Sequence, residues 1–437
     1  MDISCKVFST ILDIAPGDWN PLTLDIAHPF FTWSWLASLE ESGSIGPQTG
    51  WDPRIITLWT SGESGPVLVA ALPFYRRDTS WGELFFDFGW YDIARRLGSP
   101  YVPKLVATVP ATPVKGLGVL TRGDLIEQGS EDEVTVWHTL VDQAEEIVAE
   151  ERLAQIAFLF LDDRFAAFLR DRGYHLWGHH QFIWQNRNYP DFDSYVEQVF
   201  RKNQRRNIRR ECRVNRESGF SFRAIPGDEA PPEAWQSMYR FYDRTNTQFG
   251  PMAARFLTPR FFSILGGYKP EYISLLAAYG DSHRGASSGG AAPGREWKAD
   301  PEAMAFLGDS GRGLFGRYWG TETDRGFLHF NLCYYQPQAW AIERGMEFFD
   351  PGVGSMHKVR RGFESRMVYS AHRFSDPDMS NLWSRVIPEL NRETRIAIQG
   401  LNAQMPIRRE AGEAGFGYPG NPDQSSDREG PREKGAD

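Results

Sequence analysis

The hydrophobic pattern switches repeatedly between a strand-like period of two and a helical period near 3.6, and each switch marks an element. Trp33 to Ser42 has helical spacing. The apolar runs RIITLWT (54–60) and PVLVAALPFYR (66–76), separated by a Ser-Gly turn, read as paired strands. GELFFDF (82–88) and GLGVLT (116–121) read as further strands around a Pro-rich loop. A long helix over Glu131 to Glu151 leads into the strand LAQIAFLFL (153–161). A short helix, Arg164 to Arg172, ends at Gly173, and YHLWGHHQFIWQ (174–185) closes the first half.

The second half repeats that order. A basic helix over Phe192 to Glu217 stops at Gly219, and the strand FSFRAI follows. Helices start at Pro232 and Pro259, and the strands ISLLAAY, MAFLG and GLFGRYWG come next. LHFNLCYYQ (328–336) runs from a strand into a helix, Cys333 to Arg344, and FFD leads into a Gly-rich turn. The expected fold is therefore mixed α+β with an internally duplicated architecture, each lobe a mixed sheet flanked by helices. The expected division is 1–189 and 190–402, with a low-complexity insertion at about 280–303. Residues 403–437 are rich in Gly, Pro and charge and poor in aliphatics, which predicts a disordered tail.

At 437 residues the chain exceeds one ordinary core, which agrees with two lobes. The net charge of −9 argues against stable DNA binding but leaves room for a local basic patch. Three scattered cysteines form no CxxC pair, and the N-terminus lacks a basic start and long apolar run, so a cytoplasmic location is expected. No stretch approaches the length of a membrane span.

Two rows of cations on the basic helix, Arg201, Arg205, Arg209, Arg213 and Lys202, Arg206, Arg210, form one broad face. Like charges this dense repel, so a phosphate-bearing partner would relieve them; Arg205, Arg206 and Arg209 are the substrate-binding candidates. Solvation, with Asp191, Asp193 and Glu197 as partners, is the competing explanation. Glu83 and Asp87 would share a strand face about 13 Å apart, too far to share a proton, though one of them is a candidate to face an acceptor amine. His175 and His179 would be equally far apart in a strand, so no metal site is expected.

Seven stretches resemble a bacterial family of N-acyltransferases related to the GNAT fold and similar to Fem-type peptidoglycan aminoacyltransferases. They are HPFFTWSWLASLEESGSIGPQTGW (from His28), GELFFDFGW, YVPKLVATVPATPVKG (from Tyr101), FRKNQRRNIRRE (from Phe200), GRYWG (from Gly316), LHFNLCYYQ and HKVRRGF (from His357). They fall in order over roughly residues 28–365. The resemblance implies two tandem GNAT-like lobes, with donor and acceptor meeting beside a splayed pair of central strands. The segments from GRYWG to HKVRRGF would build that cleft. His329 is then a candidate general base, and Tyr318 and Tyr334 candidate proton donors or walls of an acyl tunnel. His357, Lys358 and Arg361 would face a solvent-open cleft at the lobe interface and hold a phosphate or carboxylate. Tyr335 and Asn331 would line the substrate. Asn331 stands where the family pattern has a glutamate, and Met356 where an acidic residue precedes His-Lys.

The resemblance implies transfer of an acyl or aminoacyl group from an activated donor, acyl-CoA or aminoacyl-tRNA, to an amine acceptor. No tightly bound cofactor is expected. Direct aminolysis needs no protein nucleophile, and Cys333 has no base paired with it in sequence. The alternative from another class is a catalytically silent protein that holds an anionic polymer through its basic helix.

Overall fold

The computed structural model describes residues 3–408 except 25–27, 64, 249, 251–254, 281–296, 298–299, 324, 353 and 355. Most of the insertion expected at 280–303 therefore lies outside the described residues, as does the chain beyond 408.

Among the described residues one 13-stranded sheet runs through the molecule. The first half contributes β1 (Ile3–Phe8), β2 (Asp52–Gly62), β3 (Gly65–Arg77), β4 (Lys104–Ala107), β5 (Leu120–Thr121), β6 (Gln155–Phe158) and β7 (His175–Gln185). The second contributes β8 (Ser221–Pro226), β9 (Ile273–Tyr279), β10 (Ala303–Asp309), β11 (Gly313–Thr321), β12 (Phe348–Asp350) and β13 (Glu364–Phe374). The order β1-β2-β3-β4-β6-β13-β7-β12-β11-β10-β9-β8 reads alike from both ends. From each end four antiparallel strands lead to one parallel pair, β4 with β6 and β11 with β12. Each half then hands its last strand to the other: β13 pairs with β6, and β7 pairs with β12. β7 and β13 meet antiparallel at the centre. The duplicated lobes expected from the sequence are thus joined by strand exchange.

Helices flank the sheet. The first half carries α1 (Pro16–Trp19), α2 (Trp33–Glu41), α3 (Phe88–Leu97), α4 (Glu131–Glu150) and α5 (Asp163–Asp171). The second carries α6 (Phe192–Val199), α7 (Lys202–Glu217), α8 (Pro232–Thr247), α9 (Pro259–Gly267), α10 (Leu328–Phe330), α11 (Gln336–Glu343) and α12 (Pro377–Ala403). A π turn, Asn331–Tyr335, joins α10 to α11. The caps follow from sequence: the Ser130 side chain accepts from Glu133 N at the start of α4, and Gly173 takes φ +83° just past α5. The halves also share a core, because Trp35 of α2 packs edge-on against Phe261 and Phe306 at 5.2 and 6.0 Å.

Five expectations need correction. GELFFDF is an irregular loop, with Leu84 and Phe86 at φ +58° and +59°. It cannot lie as a strand because Glu83 and Asp87 both turn inward onto Lys104. GLGVLT shrinks to the two residues of β5. The basic helix breaks at Phe200 and Arg201, which are extended; Phe200 pairs with Ile407, and Arg201 N donates to Pro406 O. LHF is the first turn of a helix, not a strand. Order persists beyond 403: Met405 and Ile407 are buried in the second-half core, Arg201 N donates to Pro406 O, and Arg408 N donates to Val199 O.

Candidate functional site

The two parallel strand pairs differ in what fills the space beyond them. In the first half the gap is closed by the chain's own backbone. Gly116 N and Leu117 N both donate to Phe160 O, and Asp162 N donates to Leu117 O. In the second half β11 and β12 pair only over Gly313–Phe315 and Phe348–Asp350, and then β12 ends. The turn that follows presses on β11, since a Cβ on Gly352 (φ +76°) would sit 2.8 Å from the Gly316 carbonyl oxygen. Only glycine fits there.

Lys358 reaches this turn beyond the strand pair: the residue is 2% exposed, and Nζ donates to Gly352 O at 2.6 Å. Burial pulls the ammonium down to about 8, against the pull of the Asp350 carboxylate, which raises it. Asp350, at the end of β12, is itself buried and accepts from Gly352 N at 2.7 Å; burial raises its pKa. Arg317 of β11 reaches across to the first half, where Nη2 donates to Ala111 O at 3.4 Å. Its Nε is buried without a hydrogen-bond partner among the described residues. Asp350 and Arg317 were not singled out in the sequence; a carboxylate ending a strand just before a Gly-rich turn was the available signal.

Two cavities flank this point. One of about 550 Å³ is walled by Phe85, Phe86, His179, Phe182 and Gly354 among others, and the Lys358 ammonium lies 5.8 Å from the Phe182 ring. The other, about 280 Å³, is walled by Tyr242, Phe256, Arg317, Tyr318 and Trp319. Leu84 lines both, so they meet at the irregular loop of the first half.

The remaining candidates divide into wall and brace. Tyr318 is half-buried on the wall of the smaller cavity, and its pKa is raised by burial against the opposing pull of the neighbouring Arg317 guanidinium. His329 stacks on Trp319 at 4.3 Å, and burial, helped by the Arg361 and Lys358 cations, lowers it to about 4. It is therefore neutral at pH 7 but a weak base. Tyr334 is buried against Phe330 and Phe363, which is packing.

Arg361 does not face an open cleft. Its Nη2 lies 2.9 and 3.1 Å from the two carboxylate oxygens of buried Glu211 on α7, Nη1 donates to His357 O at 3.0 Å, and the guanidinium lies 3.3 Å from the Phe330 ring centre. Tyr335 Oη also donates to Glu211, and Asn331 Nδ2 donates to the backbone carbonyls of Glu211 and Phe327. Arg361, Tyr335 and Asn331 thus tie the turn after Lys358 to α7. His357 is exposed, so the expected trio of His357, Lys358 and Arg361 on one open surface is not formed. The brace was hidden in sequence because Glu211 sits inside a run of arginines. Cys333 is a free thiol whose pKa burial pushes far up, which leaves it unreactive.

Glu83 and Asp87 are also internal. The Lys104 ammonium lies 2.7 Å from Glu83 and 3.0 Å from Asp87, and Asp87 further accepts from Tyr101 Oη and Ser80 Oγ at 2.9 Å. Both carboxylates are thus engaged by internal partners.

On α7 the charges split. Arg205 and Arg209 pair with Glu197, which also takes Arg408 at 3.4 Å, so these two follow the solvated-face explanation. Lys202, Arg206 and Arg210 are exposed and make no ion pair among the described residues; Arg210 lies 5.4 Å from the exposed Phe327 ring. From there Phe330 leads to His357, ring to ring at 5.7 Å, beside Lys358. Among the described residues no group of three His, Cys, Asp or Glu side chains is placed to hold a metal, and no helix is long and apolar enough to cross a membrane.

The FemAB-like family, described as peptidoglycan biosynthesis/recognition, matches residues 10–409. No curated protein matches the chain. Among solved structures FemX is similar with a TM-score of 0.50 and 11% identity, over 87% of this chain and 99% of FemX. L-PGS from Bacillus licheniformis aligns at TM-score 0.43 and 13% identity, over 80% and 95% of the two chains. The C-terminal domain of a putative lysylphosphatidylglycerol synthetase from Agrobacterium fabrum aligns at 0.42 and 13%, over 76% and 88%. At such identities the likeness to FemX is one of fold.

Proposed function

The chain belongs to the FemAB-like family and is a transferase, and from that premise we propose that it moves an aminoacyl group from an RNA-linked ester to an amine acceptor on a cell-envelope precursor, at the open gap between β11 and β12. The observation that carries this reading is the asymmetry of the halves. The first-half gap is sealed by its own backbone, whereas the second-half gap holds a buried, tunable ammonium, Lys358.

The chemistry needs few groups. The acceptor amine attacks the ester carbonyl, a C–N bond forms, the C–O bond breaks, and the amine proton ends on the leaving ribose hydroxyl. Negative charge develops on the carbonyl oxygen, and a cation already in place stabilises it without reorganisation. Lys358 supplies that cation. With a pKa of about 8 it is mostly protonated at pH 7, and the Asp350 carboxylate helps keep it so. Arg317 and Tyr318 line the smaller cavity and would orient the substrate. The exposed cations Lys202, Arg206 and Arg210, with Phe327, suit phosphates and an unstacked base of single-stranded RNA.

This favours an RNA ester over acyl-CoA. Glycine-rich strand-to-helix turns commonly seat nucleotide pyrophosphates, but the turn from β11 to α10 reads TETDRGF, with two acids. Asn331 is part of the brace to α7, so the lack of a glutamate there removes no group from the gap. The test is aminoacyl transfer from charged tRNA to hydroxylamine, whose amine is already unprotonated at neutral pH. Transfer should proceed and fall as pH rises through about 8, as Lys358 loses its proton. No transfer from any charged tRNA, with transfer from acyl-CoA instead, would overturn the donor assignment.

A further inference from the structure

Fifteen large apolar side chains are exposed among the described residues, and six of them fall within 81–97: Trp81, Phe86, Phe88, Tyr91, Ile93 and Leu97. Phe86 is the most open of the aromatics, at 62%. The group is contiguous at its tip, where the Trp81 ring lies 6.3 Å from Phe88 and 6.0 Å from Phe256. An apolar surface of this density needs a covering partner.

The loop is held so that it cannot fold these rings inward. Glu83 and Asp87 are anchored on Lys104 beneath it, and Arg77 donates to the Trp81 carbonyl. With both acids turned down, and with Leu84 and Phe86 in the left-handed region, Phe85 packs into the core and Phe86 is directed out. Such backbone conformations persist in bulky residues only where the surroundings enforce them.

The charges on this segment indicate which partner. Its exposed ions are Arg95, Arg96 and Asp92, and Asp92 pairs with Arg95 at 3.6 Å, so the exposed side of the segment carries one net positive charge on a chain of net charge −9, with Glu393 on the wall of the adjoining cavity. Trp, Tyr and Phe bordered by arginine is the composition that partitions into the headgroup region of an anionic bilayer. The patch also forms the lip of the larger cavity, since Phe86 belongs to both. No described helix spans a membrane, so attachment through this patch would be peripheral.

We propose that Trp81, Phe86, Phe88 and Tyr91, rimmed by Arg95 and Arg96, dock the protein on an anionic lipid surface, with the mouth of the larger cavity at the interface. The proposal does not depend on the chemistry assigned to Lys358, and its test uses no transfer assay. The full-length protein is sedimented with vesicles of phosphatidylcholine alone and of phosphatidylcholine with phosphatidylglycerol. The expected result is binding to the anionic vesicles with a blue shift of tryptophan emission. Phe86→Ser/Phe88→Ser/Tyr91→Ser should weaken binding at least tenfold with an unchanged urea midpoint. Arg95→Glu/Arg96→Glu should remove the preference for anionic lipid. Phe327→Ser, exposed on the second half, should bind as the parent does. The proposal is overturned if the parent protein stays in the supernatant with both vesicles, or if the triple variant binds undiminished. It is also overturned if the parent is a dimer that the triple variant splits without any lipid binding, since a second copy would then cover the patch.

Discussion

Arg361→Met should destabilise the fold by about 3–5 kcal/mol, the usual loss when one partner of a buried ion pair is removed. The size follows from what the substitution leaves behind. The Arg361 and Glu211 side chains are 5% and 10% exposed, so water cannot replace the lost contact. Among the described residues Glu211 would keep only the Tyr335 hydroxyl, and the His357 carbonyl would lose this donor. Methionine retains the stem that packs near Phe330, which separates loss of charge from loss of volume. Equilibrium unfolding in urea, followed by far-ultraviolet circular dichroism, reads the change. At a denaturant slope of about 3 kcal/mol/M, a loss of about 4 kcal/mol moves the midpoint by roughly 1.3 M. The double variant Arg361→Met/Glu211→Met should recover part of that loss, because the stranded carboxylate is gone. A parental midpoint in the single variant, with weakened binding of phosphate or RNA, would show that Arg361 is a ligand group and that the brace is misassigned.

Three further outcomes are expected. Removing residues 409–437 should leave the urea midpoint unchanged, whereas removing 405–437 should lower it, because Met405 and Ile407 are buried; equal midpoints for the two truncations would contradict the docking of that strand. His372 is buried and neutral with its pKa well below the ordinary 6.5, so the unfolded chain takes up a proton there that the folded chain does not, and stability falls as pH drops through 6.5. Between pH 7.5 and 5.5 the parent should therefore lose about 1.4 kcal/mol more than His372→Gln, and equal losses would refute the assignment. Arg206→Gln/Arg210→Gln should weaken RNA binding and reduce the salt slope by about 1.4–1.8, and Arg205→Gln/Arg209→Gln should do less because those charges are held by Glu197; the opposite ranking would move the RNA to the other row.

Much of the fold was legible because long apolar runs and glycine stops declare themselves, as β2, β3, α4 and the Gly173 cap show. The central strand β13 was not read as a strand. Its Ser365, Ser370, His372 and Arg373 look like surface residues, yet Ser370 and His372 bond each other at 2.8 Å in the interior and Arg373 pairs with Glu145. α12, with Pro388 inside it, was also passed over. The GELFFDF loop misled in the opposite direction: its alternation is that of a strand, but its acids serve a buried lysine 17 and 21 residues away. At the site the sequence marked the segment from GRYWG to HKVRRGF, and Lys358 lies in the gap there. It did not set Lys358 apart from the bracing residues, because the brace depends on Glu211, which local spacing does not connect to Arg361.

The most direct measurement is a crystal structure of the protein with a phosphonate analogue of the tetrahedral intermediate, joined to the 3′ end of a short RNA. The expected result is a phosphonyl oxygen about 2.7–3.1 Å from Lys358 Nζ, in the gap beyond β11 and β12, with the RNA phosphates running toward Arg206 and Arg210. An analogue bound on the first half beside β4 and β6, with Lys358 still bonded to Gly352 alone, would contradict the placement of the reaction in the second-half gap.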